Sequence, residues 1–338
     1  MDAVTTTALT LFTDGSALDR ATWWSALAAD ERRRRAMEAA RDHDPEVLWA
    51  LTDAWLTLHS KRGAKLSAYT RRNYKKGVLV LLDAWRGLNL LRPPHDAAAV
   101  WLRRLESHRQ KPAPDGAPGL KPATITVHLA AARTLYAALR WARATEADPF
   151  RDAHAAGDAT PAWEKRAPYS PAELEALLAV APPLDRVLLL LGAHCGLRAA
   201  EIVAVRWAEV DLDRGALRVS AGKGGKQRTV PLSRTAAAAL RQLASLETDR
   251  PTAAAGDYVL PFRSTKEARR RLARLCQQAG ITQGRGVHAL RHTAGTKLMT
   301  QTRDLDMVAR FLGHSSVETA RVYAKWSDES LRATVGEW

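Results

Sequence analysis

Five polar features between residues 195 and 325 could do chemistry, and each also has an ordinary structural reading. Arg198 follows Gly196-Leu197 at a helix start, with Glu201 three residues on. Alone, that spacing is an intrahelical ion pair. Lys223 lies in the turn Gly222-Lys223-Gly224-Gly225-Lys226, where a solvated lysine is the default. The turn is not a phosphate-cradling P-loop, because Gln227 stands where Ser or Thr is required and a strand follows where a helix should. His288 and His292 stand four apart on a helix, the spacing of a zinc protease, with Arg291 between them. Ala289 occupies the place of the general-base Glu, so no metal is expected. His314 follows Leu312-Gly313 where one helix ends and another begins, the position of a capping histidine. Tyr323 reads as an amphipathic residue of a helix over 317–325. Its phenol has an ordinary pKa of about 10, so ionising it at neutral pH costs roughly 4 kcal/mol without a base.

These side chains need a scaffold, and the composition says of what kind. The 338 residues carry 51 Lys plus Arg against 36 Asp plus Glu, a formal net charge of +15. Such a surplus points to a polyanionic partner, since each neutralised phosphate releases condensed counterions. The alternative is a basic composition that only aids solubility. The two cysteines, Cys195 and Cys276, sit inside apolar helical patterns, so no disulfide framework is expected. No apolar run reaches the roughly 18 residues needed to span a bilayer, and the N-terminus lacks a signal-peptide pattern. A cytoplasmic, reduced protein with no membrane association is expected.

Many alanines and leucines, with few β-branched runs, predict a mainly helical protein. Residues 1–45 form a helical extension with Trp23, Trp24 and the run Arg32 to Arg35, read as a solvated helix end. Residues 46–155 hold four helices, one from Arg71 to Trp85 with Thr70 as its N-cap. Arg71, Arg72, Lys75 and Lys76 give that helix a basic start that opposes its macrodipole, and phosphate could compensate. A Pro-rich loop covers 107–122, and a linker at 156–168 separates a second domain, 169–338. That domain opens on Ser170-Pro171-Ala172-Glu173, a capping box with Pro at the first helical position. Short strands near 209–212, 216–220 and 228–231 follow, then helices again.

Taken in order and spacing, the polar set resembles the tyrosine recombinase and phage integrase family, most closely its Xer-type members. The matching text is Cys195-Gly196-Leu197-Arg198-Ala199-Ala200-Glu201-Ile202, then Gly222-Lys223-Gly224 leading into Arg228-Thr229-Val230-Pro231-Leu232. It continues with His288-Ala289-Leu290-Arg291-His292-Thr293, Leu312-Gly313-His314-Ser315-Ser316, and Tyr323 nine residues beyond His314. The resemblance covers roughly 45–338 and is most specific in the second half.

The resemblance implies a two-domain, C-shaped DNA clamp: a helical SAM-like core-binding domain plus an α+β catalytic domain carrying a small antiparallel sheet. It implies that Arg198 and Arg291 grip the two non-bridging oxygens of one phosphate, a geometry that suits planar guanidinium forks. Tyr323 would attack phosphorus, with His288 taking its proton and Lys223 protonating the leaving 5′ oxygen. His314 would add a hydrogen bond to the phosphate. Glu201 and His292 would support these groups from behind. A 3′-phosphotyrosyl ester keeps the bond energy, so no ATP, metal or other cofactor is implied.

The implied partner is double-stranded DNA. Recombination would proceed through a Holliday junction in a homotetramer on paired sites, or in a heterotetramer with a second recombinase, and the tail from Ser327 to Trp338 would pack on a neighbouring protomer. The biological setting would be chromosome or plasmid dimer resolution, or integration of a mobile element. Two rival readings share the motifs: a type IB topoisomerase that relaxes DNA without exchange, and a DNA-binding relative without activity.

Overall fold

The structure, a computed structural model, describes residues 15–107, 119–157, 167–220, 227–247 and 258–313. Lys223, His314, Tyr323, the C-terminal tail and most of the 107–122 loop therefore lie outside the described residues. The chain divides into two compact units, Met1–Ala159 and Thr160–Trp338. As expected, the described elements are mainly helical, with one small antiparallel sheet.

The first unit contains α1 (Ala17–Ala26), α2 (Ala29–Asp42), α3 (Pro45–His59), α4 (Ala68–Ala84), α5 (Ala97–Ser107) and α6 (Pro122–Trp141). Local chemistry sets most of their starts. Asp44 caps α3 through the Glu46 and Val47 amides, with Pro45 at the first helical position. At α4 the cap is Ser67 instead of Thr70: the Ser67 hydroxyl accepts the Thr70 amide, and the two side-chain oxygens lie 2.8 Å apart. Ser67 is the residue with extended backbone, whereas Thr70 already lies in the first turn, where its amide is one of the donors needing a cap.

The core of this unit joins Trp24, Leu48, Leu51, Leu81, Trp85, Trp101, Tyr136 and Phe150. Phe150 stacks on Trp85 at 5.5 Å and meets Trp101 and Tyr136 edge-on. The Tyr136 hydroxyl, buried with its ring, donates to the Leu90 carbonyl at 2.8 Å. Helices α1 and α2 belong to the same core through Ala21, Trp24, Ala36 and Ala39. The arginine run is accordingly not a helix end, and of its four residues only Arg33 and Arg34 are exposed. It lies mid-α2, where Arg32 covers the Trp141 ring at 4.8 Å, Arg35 covers Trp23 at 5.2 Å, and Arg34 pairs with Glu31 and Glu38. A guanidinium is weakly hydrated for a cation and stacks readily on an indole face while its edge stays in water.

The second unit contains α7 (Pro171–Val180), α8 (Pro183–Ala193), the single turn α9 (Ala199–Ile202), β1 (Val210–Asp211), β2 (Ala216–Val219), β3 (Arg228–Pro231), α10 (Arg234–Glu247), α11 (Thr265–Gln278), α12 (Val287–Thr302) and α13 (Leu305–Leu312). Ser170 and Glu173 form both hydrogen bonds of the capping box expected for α7. Helix α8 carries the run Leu188 to Leu191, buried on all sides because α10 and α12 pack against it. A Cβ on Gly192 would stand 2.7 Å from the Leu290 Cβ, so this glycine lets α12 nest on α8. The strands pair in the order β1-β2-β3, with Leu217 opposite Val230 and Val219 opposite Arg228. Val230 points into the core, and by the two-residue period of a strand Arg228 points the same way.

Candidate active site

Four side chains from three elements meet in the second unit. Arg198 is the N-cap residue of α9 and Glu201 lies on that turn, so the carboxylate folds back to accept the Arg198 amide at 2.9 Å and its guanidinium at 2.8 Å. From β3, Arg228 donates to both oxygens of Glu201, at 3.0 and 2.8 Å. From α12, Arg291 stands 4.0 Å away. Burial alone would push the Glu201 carboxyl up, but hydrogen bonds from Arg228 and Arg198 win and hold it at about 2. The four side chains keep a formal charge of plus two around one buried carboxylate, a polar centre suited to an anionic phosphate.

The two arginines singled out from the motifs are not equivalent. The Arg198 side chain is about one quarter exposed, and its Nη2 donates to the Gly313 carbonyl at 3.3 Å. Arg291 is sealed at 1% exposure, with Nη1 on the Gly196 carbonyl at 2.6 Å and Nη2 on the Leu312 carbonyl at 2.5 Å. Its fork therefore staples the end of α8 to the end of α13. Both arginines reach the carbonyls of residues 312 and 313, and His314 follows Gly313 in the chain.

Gly196 adds a backbone requirement to this joint. Its φ is +65°, and a Cβ there would lie 2.7 Å from Leu312 Cδ2 and 3.0 Å from Phe311 Cε1. Gly196→Ala combines left-handed strain of about 1–2 kcal/mol with overpacking of about 1–3 kcal/mol. A melting temperature lower by roughly 5 °C or more is expected in a thermal denaturation scan.

Helix α12 presents the two histidines. His288 is exposed in its first turn, while His292 is buried one turn on, their rings edge-to-face at 4.7 Å. Among the described residues, no three His, Cys, Asp or Glu side chains cluster so as to hold a metal ion. No helix among them is long and apolar enough to cross a membrane.

The four basic residues of α4 separate into two kinds. Arg71 turns inward onto Asp53, which is 3% exposed and also takes Arg20 at 3.2 Å. Lys75 pairs with Glu46 at 2.9 Å, whereas Arg72 and Lys76 are exposed. A buried carboxylate, Asp53, and an exposed one, Glu46, thus answer two of the charges for which an outside phosphate was expected.

Residues 170–330 match the phage integrase family. The chain is also 30% identical over 286 residues to tyrosine recombinase XerC of Xanthomonas campestris pv. campestris, covering 78% of this chain and 81% of that one. The chain belongs to the tyrosine recombinase family. Two solved structures share the fold of this tyrosine recombinase at 15% identity. One is the XerH site-specific recombinase bound to a palindromic difH substrate in a post-cleavage complex, with a TM-score of 0.64 over 96% of this chain and 97% of that one. The other is a lambda integrase dimer bound to a COC′ core site, with a TM-score of 0.63 over 81% and 76%.

Of the site residues expected from sequence, the described fold brings together Arg198, Glu201 and Arg291, and sets His288 and His292 on the same helix as Arg291. Arg228 stands in the motif Arg228-Thr229-Val230-Pro231-Leu232, where the sequence reading gives it no role. The signal that could have found it is its place on β3, two residues before the buried Val230 and so on the inward face, where an arginine needs a carboxylate.

Proposed function

We propose that this chain is a site-specific DNA recombinase that cleaves and rejoins strands through a 3′-phosphotyrosyl bond at Tyr323. The observation that carries the reading is the Glu201-centred arginine cluster, tied by Arg198 and Arg291 to the carbonyls that immediately precede His314. In this reading the two arginines and His314 hold the scissile phosphate and stabilise the charge that builds on it. His288, exposed at the start of α12, accepts the Tyr323 proton as its oxygen attacks phosphorus. Lys223 supplies the proton that lets the 5′ oxygen leave. The ester preserves the energy of the broken bond, so a 5′ hydroxyl from another strand can reverse the step without ATP.

Residues 169–338 would be the catalytic domain, 46–155 with the extension 1–45 the helical domain that closes on DNA, and 156–168 the linker between them. Arg72 and Lys76 are the α4 residues open to phosphate, with Arg71 turned inward onto Asp53 and Lys75 paired at the surface with Glu46. Exchange would take place in a tetramer on paired sites in the cytoplasm, built from this chain alone or with a second recombinase. It would serve dimer resolution or mobile-element integration.

A nicked suicide substrate carrying the target site tests the chemistry. A covalent protein–DNA adduct is expected with the wild-type chain and none with Tyr323→Phe, which keeps the ring and removes the nucleophile. An adduct that survives in Tyr323→Phe would overturn the assignment. Recombination of a two-site plasmid, without relaxation of a one-site plasmid, is expected in place of topoisomerase behaviour.

A further inference from the structure

Tyr169 lies outside every motif that marks the active site, yet it is fastened to both ends of the segment that carries His288, Arg291 and His292. It is 2% exposed and follows directly on the start of the second unit's described residues. Its phenol donates to the Arg285 carbonyl at 2.5 Å and accepts the Arg285 amide at 3.1 Å, just ahead of Gly286, the N-cap of α12. Its own amide donates to the Thr293 hydroxyl at 2.9 Å, and that hydroxyl donates in turn to the Ala289 carbonyl at 3.1 Å. Thr293 lies two residues beyond Arg291.

A second lock holds Arg285 from the side chain. Its Nη1 lies 2.8 Å from both oxygens of Glu173 on α7, and its guanidinium sits 5.3 Å from the Tyr169 ring centre. Burial pushes the Tyr169 phenol above its ordinary range, so it remains a hydrogen-bond donor at any working pH. The stretch 285–293 thus has its beginning and its end referenced to one residue. A rigid reference of this kind matters because misplacing a reacting group by about 1 Å can cost on the order of a hundredfold in rate.

We propose that Tyr169 is a positioning residue for strand cleavage, setting through Arg285 and Thr293 where α12 presents His288 and Arg291. The inference rests on the reading above that those two residues act at the scissile phosphate. It assigns to the start of the unit a role in catalysis that no catalytic motif carries.

Tyr169→Phe keeps the ring and removes both phenol hydrogen bonds to Arg285, along with a 3.5 Å contact to the Cys276 thiol, and Thr293→Val removes the second attachment independently. Each full-length variant is compared with wild type in single-turnover cleavage of the suicide substrate, in DNA binding by gel shift, and in thermal melting. Both variants are expected to cleave about ten- to a hundredfold more slowly, with binding within about twofold of wild type. The acid limb of the pH–rate profile is expected to move, because the proton acceptor on α12 has been displaced. Thr293→Ser should restore wild-type behaviour. Two folded variants that cleave at the wild-type rate would overturn the proposal. So would an equal loss at every pH with no rescue by serine. A wild-type chain that forms no adduct at all would overturn the functional reading itself and this inference with it, an outcome recognisable before any variant is made.

Discussion

Replacing Arg291 with lysine is expected to lower the rate of DNA cleavage on the order of a thousandfold while DNA affinity changes little. Arg291 uses a planar fork to hold the Gly196 and Leu312 carbonyls at once, from a position 1% exposed. A lysine ammonium is a single compact charge, strongly hydrated, and cannot span both acceptors in the same plane. The substitution therefore unties α8 from the end of α13, beside His314 in the chain, and leaves buried carbonyls short of a donor. Arg198→Lys makes the informative comparison, because Arg198 is partly open and its link to Glu201 can be kept by an ammonium. Single-turnover cleavage of the suicide substrate, with gel-shift affinity alongside, reads both. Cleavage by Arg291→Lys within a few-fold of wild type would show that the buried fork is not what organises the site.

The second large effect is expected at Glu201. Removing its carboxylate in Glu201→Ala leaves Arg198, Arg228 and Arg291 facing one another without their shared counter-charge. Breaking a buried pair in this way costs about 3–5 kcal/mol, or roughly ten degrees in melting temperature for a unit of this size. Cleavage should fall with it, since two of the three arginines are those assigned to the phosphate. The same carboxylate sets a pH dependence. Its folded pKa is about 2 against an ordinary value of 4.5, so its contribution is fully present above pH 4.5 and disappears as pH falls from 4.5 towards 2. The difference amounts to about 3 kcal/mol at neutral pH. In Glu201→Gln, which keeps the shape and loses the charge, this part of the acid limb should be absent from a plot of stability against pH. An unchanged acid limb in that variant would assign the acid sensitivity to other carboxylates.

Glu201 and Asp53 show one strategy in the two units. Each is a carboxylate at 3% exposure that takes arginines from separate elements: Arg198 and Arg228 at Glu201, Arg20 and Arg71 at Asp53. A buried carboxylate left single would be costly, and supplying its partners from distant segments makes the charge also a check on assembly. At Asp53 these pairs link α1 and α4 through α3, beside the apolar packing of Ala21 and Trp24 that places α1 in the core.

The sequence by itself determined the class of fold, the reaction chemistry and many of the helix starts. Ser170-Pro171-Ala172-Glu173 specifies a helix start because every bond of a capping box lies within four residues, and the order Arg198, Lys223, His288, Arg291, His314, Tyr323 is a family pattern that needs no coordinates to read. Local spacing gives the Arg198–Glu201 pair, but tertiary structure alone decided which charges from distant segments face one another. Arg71 reads as a free basic residue until Asp53, eighteen residues away, turns it inward. Arg228 reads as a strand residue until the hairpin register sets it on Glu201, twenty-seven residues earlier. Tyr169 reads as nothing in particular until it reaches Arg285 and Thr293, more than a hundred residues on. Capping and periodicity are forces of three or four residues' reach, whereas the partner of a buried charge or phenol is chosen by how whole helices and strands pack, and that choice is made only when the chain has closed on itself.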